Sequence, residues 1–264
     1  MTVQAESMVR IDAAGVYYRD LNQQVRSALA GKARRVVLEN VCGQRYIGCG
    51  LRDKDALIEI NGTPGNDMAA FMDGPTLLVR GNAQDGVGNT MTSGTIVVHG
   101  HAGDVLAHSL RGGEIYIRGN AGYRAAIHMK QYTEPVPVVV VGGTLGDYAG
   151  EYMAGGILVV LGLELGGNGD ASAPIKATQG PLVGRLLGTG MHNGAIYIRG
   201  DVQDHQMGKE ISRIPIDGQD QERLAQIVGR FARHFGLDAQ AILAAPFTKF
   251  TATSARPYGK LYVY

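Results

Sequence analysis

One interval governs this chain. Gly43, Gly62, Gly81, Gly100 and Gly119 lie 19 residues apart; after a five-residue insertion the register resumes at Gly143 and Gly162, and Gly200 follows two periods later, with Pro181 in the skipped place. A period of this length is the mark of a chain wound into stacked coils. Five residues before each glycine begins a short β-rich run, at 57–61, 76–80, 95–99, 114–118, 138–142, 157–161 and 195–199. The second position of the run reads Ile58, Leu77, Ile96, Ile115, Val139, Leu158, Ile196, and the fourth reads Ile60, Val79, Val98, Ile117, Val141, Val160, Ile198. Two aliphatic columns at period two are the inward face of a strand that stacks on its neighbours. Further columns read Met72, Met91, Leu110, Met129, Met153 and Met191, then Met68, Val87, Leu106, Ala125 and Ala149. The methionines therefore read as adaptable core filling.

A five-residue strand cannot bury its apolar face alone, whereas one strand per coil builds a continuous core. The fold class is all-β, a parallel β-helix of about eight 19-residue coils. The turn glycines belong where a side chain would clash or where φ must be positive. Left-handed hexapeptide helices need about 18 residues per coil, and nonapeptide rolls need repeats of nine with a regular Asp pattern; neither fits. The expected division is an N-terminal segment with a capping helix (1–34), the β-helix (35–212), and a C-terminal helix with a docking tail (213–264). Leu21, Val25, Ala28 and Leu29 mark the first helix, and Leu224, Ile227, Val228, Phe231 and Phe235 the second, with Asp217 as N-cap and Gly236 as stop. Both would cover the open ends of the solenoid.

Composition narrows the function. Lys and Arg number 25 against 24 Asp and Glu, a net charge of +1, which favours neither nucleic acid nor an anionic membrane as partner. No apolar run approaches the roughly 18 residues of a membrane span, and the first residues lack a signal-peptide pattern; a cytoplasmic location is expected. Cys42 and Cys49 read as buried small hydrophobes. The column Asn66, Asp85, Asp104, Tyr123, Asp147, Asp204 reads as turn residues accepting backbone N–H groups rather than as a cation site. His99 and His101 lack the further ligands that zinc requires and are placed at the surface. Gly48-Cys49-Gly50, Gly86-Val87-Gly88 and Gly188-Thr189-Gly190 read as repeat corners, not phosphate loops, and Gly166-Gly167-Asn168-Gly169 as an external loop. No catalytic, cofactor-binding or metal-binding residue is assigned.

One column is not core. The third strand position, facing away from the inward columns, reads Glu59, Leu78, Val97, Tyr116, Val140, Val159, Tyr197. Such a stripe needs a cover. Arg80, His99, Arg118 and Arg199 run beside it, and the expectation is a polar-rimmed face on which a partner docks, unless the C-terminal helix and tail lie there instead.

The run 146–156 (Gly-Asp-Tyr-Ala-Gly-Glu-Tyr-Met-Ala-Gly-Gly), with Val159-Val160-Leu161-Gly162, Gly119-Asn120-Ala121-Gly122, Ile127-His128-Met129-Lys130 and Arg256-Pro257-Tyr258-Gly259, resembles the GXGXG domain of glutamate synthase in its stand-alone form. The third subunit of N-methylglutamate synthase and one subunit of the formylmethanofuran dehydrogenase/formyltransferase complex share such repeats. The resemblance implies a right-handed β-helix without catalytic residues, a scaffold within a hetero-oligomer. Its partners would be a glutaminase subunit of the class II amidotransferase type and a synthase subunit with FMN and iron–sulfur clusters. Thr2 stands where a nucleophilic N-terminal cysteine would be, and no cluster-binding cysteine run occurs. A reading from another class is an independent carbohydrate-active β-helix enzyme such as a polysaccharide lyase, which the scarcity of long loops disfavours.

Overall fold

The structure, a computed structural model, describes residues 7–132, 134–164 and 176–255. Strand β1 (Met8–Asp12) and helix α1 (Tyr18–Ala30) precede a series of strands that recur once per coil. These are β2 (Arg35–Cys42), β3 (Leu57–Thr63), β4 (Asp73–Val79), β5 (Ser93–Val98), β6 (Glu114–Ile117), β7 (Val138–Val141) and β8 (Ala154–Val160). After a small antiparallel pair, β9 (Leu163–Glu164) and β10 (Lys176–Ala177), the series resumes at β11 (Asn193–Arg199). Then come β12 (Ile211–Ile214), α2 (Gly218–Phe235), α3 (Ala239–Leu243) and β13 (Phe247–Ala252). One 11-stranded sheet runs β1-β2-β3-β4-β5-β6-β7-β8-β11-β13-β12. It is parallel as far as β11, and β13 and β12 add antiparallel strands at its end. The molecule is mostly β and is a β-solenoid.

The register is the one the period sets. Ile58 pairs with Leu77, Leu77 with Ile96, Ile96 with Ile115, Ile115 with Val139, Val139 with Leu158 and Leu158 with Ile196. Both inward columns are fully buried, with Met72, Met91, Met129, Met153 and Met191 in the same core. β1 continues the sheet ahead of β2, pairing Ile11 with Leu38; lying before the first repeat glycine, it was invisible to the period. Helix α1 seats Leu21 and Val25 against the core at this end. At the other end Phe250 of β13 enters the core opposite Ile196.

Half of the turn glycines serve a purpose other than the expected positive φ. Gly81, Gly100, Gly119 and Gly143 do not have positive φ, although Gly43, Gly62, Gly162 and Gly200 do. What excludes a side chain at Gly143 is the coil beneath: a Cβ would overlap Oδ1 of Asn120, which accepts the N–H of Thr144 at 2.9 Å. One coil earlier the N–H of Asn120 donates to Nδ1 of His101 at 2.9 Å, and the N–H of His101 to Oδ1 of Asn82 at 2.8 Å. His101 is thus a surface acceptor in an Asn ladder. The Asp column forms a second ladder: Asp85 accepts from the N–H of Asp104 at 2.9 Å, Asp104 from that of Tyr123 at 2.8 Å, and Asp147 from that of Arg185 at 2.8 Å. The acceptors bond the next coil, not their own turn.

The side of each coil opposite the sheet folds in a way the sequence did not announce. Three alternate residues per coil adopt positive φ, as in Asp67, Ala69, Phe71 and in Val105, Ala107, Ser109. Their N–H groups donate alternately forward and back, from Val105 to Tyr123 O, Ala107 to Val87 O and Ser109 to Ile127 O, all at 2.8–2.9 Å. A β-branched residue in this region is strained by about 1–2 kcal/mol, and at Val105 the inter-coil bonds hold it there. The glycine pairs Gly48/Gly50, Gly86/Gly88 and Gly188/Gly190 occupy the same positions with positive φ, so they are repeat corners. Gly166 to Gly169 lie outside the described residues. The cysteines correct the sequence reading: Cys42 is exposed and Cys49 is half-buried. Cys42 ends β2 beyond the register shift that follows Leu38, where the in-out alternation is lost.

Candidate functional site

The outward stripe is the feature from which a function was expected, and the structure covers it. Val97, Tyr116, Val140, Val159 and Tyr197 are buried, and Leu78 at the margin is partly so. Their cover is α2, whose Leu224, Ile227, Val228, Phe231, Ala232 and Phe235 pack on them, with Ile242 of α3 beside. The partner-docking face therefore needs correcting: the stripe is occupied by the chain's own helix. The physical reason lies in length. Eighteen helical residues extend about 27 Å at ~1.5 Å each, enough to run along the solenoid over the five strands from β5 to β11, at ~4.8 Å per strand.

Caps fix where α2 begins and ends. The Asp217 carboxylate accepts the N–H of Asp220 at 2.8 Å, and Asp220 in return accepts that of Asp217 at 3.2 Å, a reciprocal box that satisfies two otherwise orphan donors. Gly236 closes the helix at φ 68°, a conformation that glycine adopts without a Cβ clash.

Polar ties at both ends then lock the helix on the stripe. At its start, buried Asp220 accepts from Nζ of Lys249 at 2.7 Å and from the Tyr197 hydroxyl at 2.6 Å. Burial pushes the Asp220 carboxyl upward, but the Lys249 and Tyr197 hydrogen bonds outweigh it and hold the group below the usual carboxylate range. Tyr197 is pushed up to about 12, first by burial and then by its bond to Asp220. Toward the other end, Arg230 donates to the Tyr116 hydroxyl at 2.9 Å and pairs with Glu114 at 3.1 Å, while the Tyr116 hydroxyl donates to Glu114 at 2.6 Å. Burial leads in raising the Tyr116 phenol. These polar groups are spent on holding the helix.

The residues beside the stripe serve the same cover. His99 is half-buried, with its ring edge-on to Phe235 at 5.2 Å and its Nε2 at 3.2 Å from Nη1 of Arg80. Burial, then Arg80, Arg118 and His234, lower its pKa to about 4. Arg199 donates to the Ile242 carbonyl at 2.9 Å and Arg118 is buried. Glu59 pairs with Arg35 at 2.5 Å and with Arg80 at 3.4 Å. Sequence reasoning had both the stripe and the amphipathic helix; it missed Asp220, Lys249, Glu114 and Arg230, which join one to the other. An Asp three residues after an N-cap Asp, the spacing of a reciprocal capping box, was the available signal. Among the described residues, no three or more His, Cys, Asp or Glu are grouped to hold a metal.

The geometry is that of a solenoid clad by its own helix, and comparison with known proteins places it. A profile described as the GXGXG motif matches residues 20–255. The chain belongs to the GXGXG motif family. A relative in Methanocaldococcus jannaschii, an uncharacterised protein, is 48% identical over 259 residues, covering 96% of each chain. The GXGXG region thus takes in nearly all of α1, the parallel strands from β2 to β11, α2 and β13. The family match makes the chain related to a domain of glutamate synthase. No helix among the described residues is long and apolar enough to cross a membrane.

Proposed function

We propose that this GXGXG protein is a non-catalytic scaffold subunit of a glutamate synthase-type complex. In that complex glutamine and 2-oxoglutarate would yield glutamate through chemistry carried by other subunits. The observation that carries the reading is the family match over residues 20–255. It is supported by the Methanocaldococcus jannaschii relative, which matches the same region at 48% identity over 259 residues. The partners are a class II amidotransferase glutaminase and a synthase subunit holding FMN and iron–sulfur clusters, and the assembly is cytoplasmic. The solenoid is read as right-handed with about eight coils, flanked by the end segments 1–34 and 213–264. A second reading keeps the scaffold and changes the complex, to the third subunit of N-methylglutamate synthase or the GXGXG-bearing subunit of formylmethanofuran dehydrogenase; the shared GXGXG repeats favour it equally.

Affinity purification of the chain from its native cell, with mass spectrometry of what accompanies it, tests the proposal. The expected companions are a glutaminase-like and a flavin/iron–sulfur protein, with an assay of ammonia against methylamine to separate glutamate from N-methylglutamate synthesis. A metal-dependent formyl-transfer assembly would move the chain to the other branch. Recovery of the chain alone, or turnover of an acidic polysaccharide by it, overturns the scaffold reading.

A further inference from the structure

With the stripe covered, the coils around the start of β8 offer a surface of different chemistry. A groove of about 540 Å³ lies there, lined by Arg111, Lys130, His128, Tyr132, Tyr152 and His192 among others, and by no carboxylate. The repeat builds it. Ser109, His128, Tyr152 and Gly190 stand at equivalent positive-φ positions of successive coils, and Arg111, Lys130, Ala154 and His192 follow each two residues later. From Arg111 to His192 is three coil steps, about 14 Å at ~4.8 Å per step. Two cations, Arg111 and Lys130, thus stand on adjacent coils beside the rings of His128 and Tyr152.

The side chains are already arranged against one another. Lys130 Nζ sits 4.7 Å and the Arg111 guanidinium 5.4 Å from the Tyr132 ring centre, contacts worth about 0.5–1 kcal/mol each at an exposed site. The His128 and Tyr152 rings stack at 5.3 Å with 9° between planes. Neighbouring acids are engaged elsewhere: Glu151 pairs with Arg124 at 3.0 Å and Glu134 accepts from Gln131 at 3.1 Å. Among the described residues, no carboxylate pairs with Arg111 or Lys130.

We infer that this groove binds an extended acidic peptide segment of a partner protein. Charge complementarity selects an anion, and the length selects a chain: about 14 Å accommodates roughly four residues at ~3.3 Å each. Tyr and Arg are also side chains suited to anchoring protein partners. A nucleic acid would need a broader basic surface than a chain of net charge +1 carries. The inference deepens the scaffold reading and rests on it only for the existence of a partner.

The probe is fluorescein-labelled hexaglutamate, titrated with the full chain and followed by anisotropy at low salt. Saturable binding is expected, weakened at least tenfold in R111Q/K130Q and retained in K32Q/R233Q, which removes the same charge elsewhere. Unchanged melting of both variants shows that the fold is intact. Absence of binding, equal binding by R111Q/K130Q, or displacement by citrate or by a short oligothymidylate at lower concentration than by unlabelled peptide overturns the inference. Purification from native cells separates this test from that of the scaffold. If R111Q/K130Q retrieves the same subunits as the wild type, the groove is wrong and the scaffold stands. If peptide binding follows Arg111 and Lys130 but no subunit is retrieved, the groove stands and the scaffold reading falls.

Discussion

Asp104 and Gly122 show what one residue contributes to this fold. The carboxylate of Asp104 reaches up one coil to accept the N–H of Tyr123 at 2.8 Å, and a Cβ at Gly122 would overlap its Oδ1. Glycine is needed there because an acceptor from the coil below occupies the space of a side chain. Gly122→Ala should therefore destabilise by about 1–3 kcal/mol, the usual range for overpacking. Asp104→Ala loses one exposed hydrogen bond, at about 1 kcal/mol. In the double variant the clash is gone, so the two costs should fall short of their sum by at least about 0.5 kcal/mol. Urea unfolding of the four proteins measures this, and strict additivity would show that the glycine is needed for another reason. Much at this scale was legible. The 19-residue column identified Asp85, Asp104 and Asp147 as backbone acceptors from spacing alone. The direction of their bonds was not, because an Asp that bonds its own turn and one that bonds the next coil leave the same trace in a sequence. The positive φ of Val105 or Phe71 was equally hidden, since no side-chain signal announces a backbone held by its neighbours.

At the scale of elements the informative pair is α2 and the stripe it covers. Both were visible, one at helical spacing and the other as a strand column, but a repeat orders only what repeats, so it gave no address for a helix outside it. The address is written in Asp220 and Lys249. Asp220→Ala would leave Lys249, whose side chain is 16% exposed, without its carboxylate, and the Tyr197 hydroxyl without its acceptor. Breaking one side of a buried pair costs about 3–5 kcal/mol. Asp220→Asn with Lys249→Met removes both charges and should cost markedly less, as read by thermal unfolding. An equal cost in the double variant would mean that the helix cap, not the ion pair, sets the stability. The other end of α2 carries a pH dependence. The folded pKa of His99, about 4, lies below the ordinary value near 6.5, so the unfolded chain takes up the proton first. The stability this site supplies is complete above pH 6.5, falls as pH falls, and is gone by about pH 4. Solvent screening at a half-buried site holds the effect to about 1 kcal/mol. Urea midpoints at pH 7 and pH 5 should differ less in His99→Gln than in the wild type; the same difference in both would place the sensitivity elsewhere.

For the whole molecule, the decisive property is that each coil contacts chiefly the coils before and after it, so stability is close to a sum over coils and their interfaces. The inward columns are interchangeable in kind, and every strand pair from β3 to β8 keeps the same register at the aliphatic positions. A coil should then be removable as a unit, provided it spares the residues α2 covers, which begin at Leu78 of β4. Deleting residues 57–75 joins Ala56 to Thr76, the partner of Leu57, and so brings Leu77 opposite Val36 where Ile58 had been. The shortened chain loses one layer of core and the Glu59 ion pairs, but no inward residue changes face. It should fold with native-like circular dichroism and a single, somewhat lower unfolding transition. Deleting only residues 57–66 leaves nine residues, 67–75, between Ala56 and Thr76, about half a coil. Leu77 and Val79 are then not returned to the places beside Val36 and Leu38 that Ile58 and Ile60 held. Because a strand out of register exposes its apolar face, that chain should be insoluble or unfolded. If the full-coil deletion fails as completely as the half-coil one, contacts beyond nearest neighbours hold the solenoid together, and the 19-residue period describes its sequence but not its energetics.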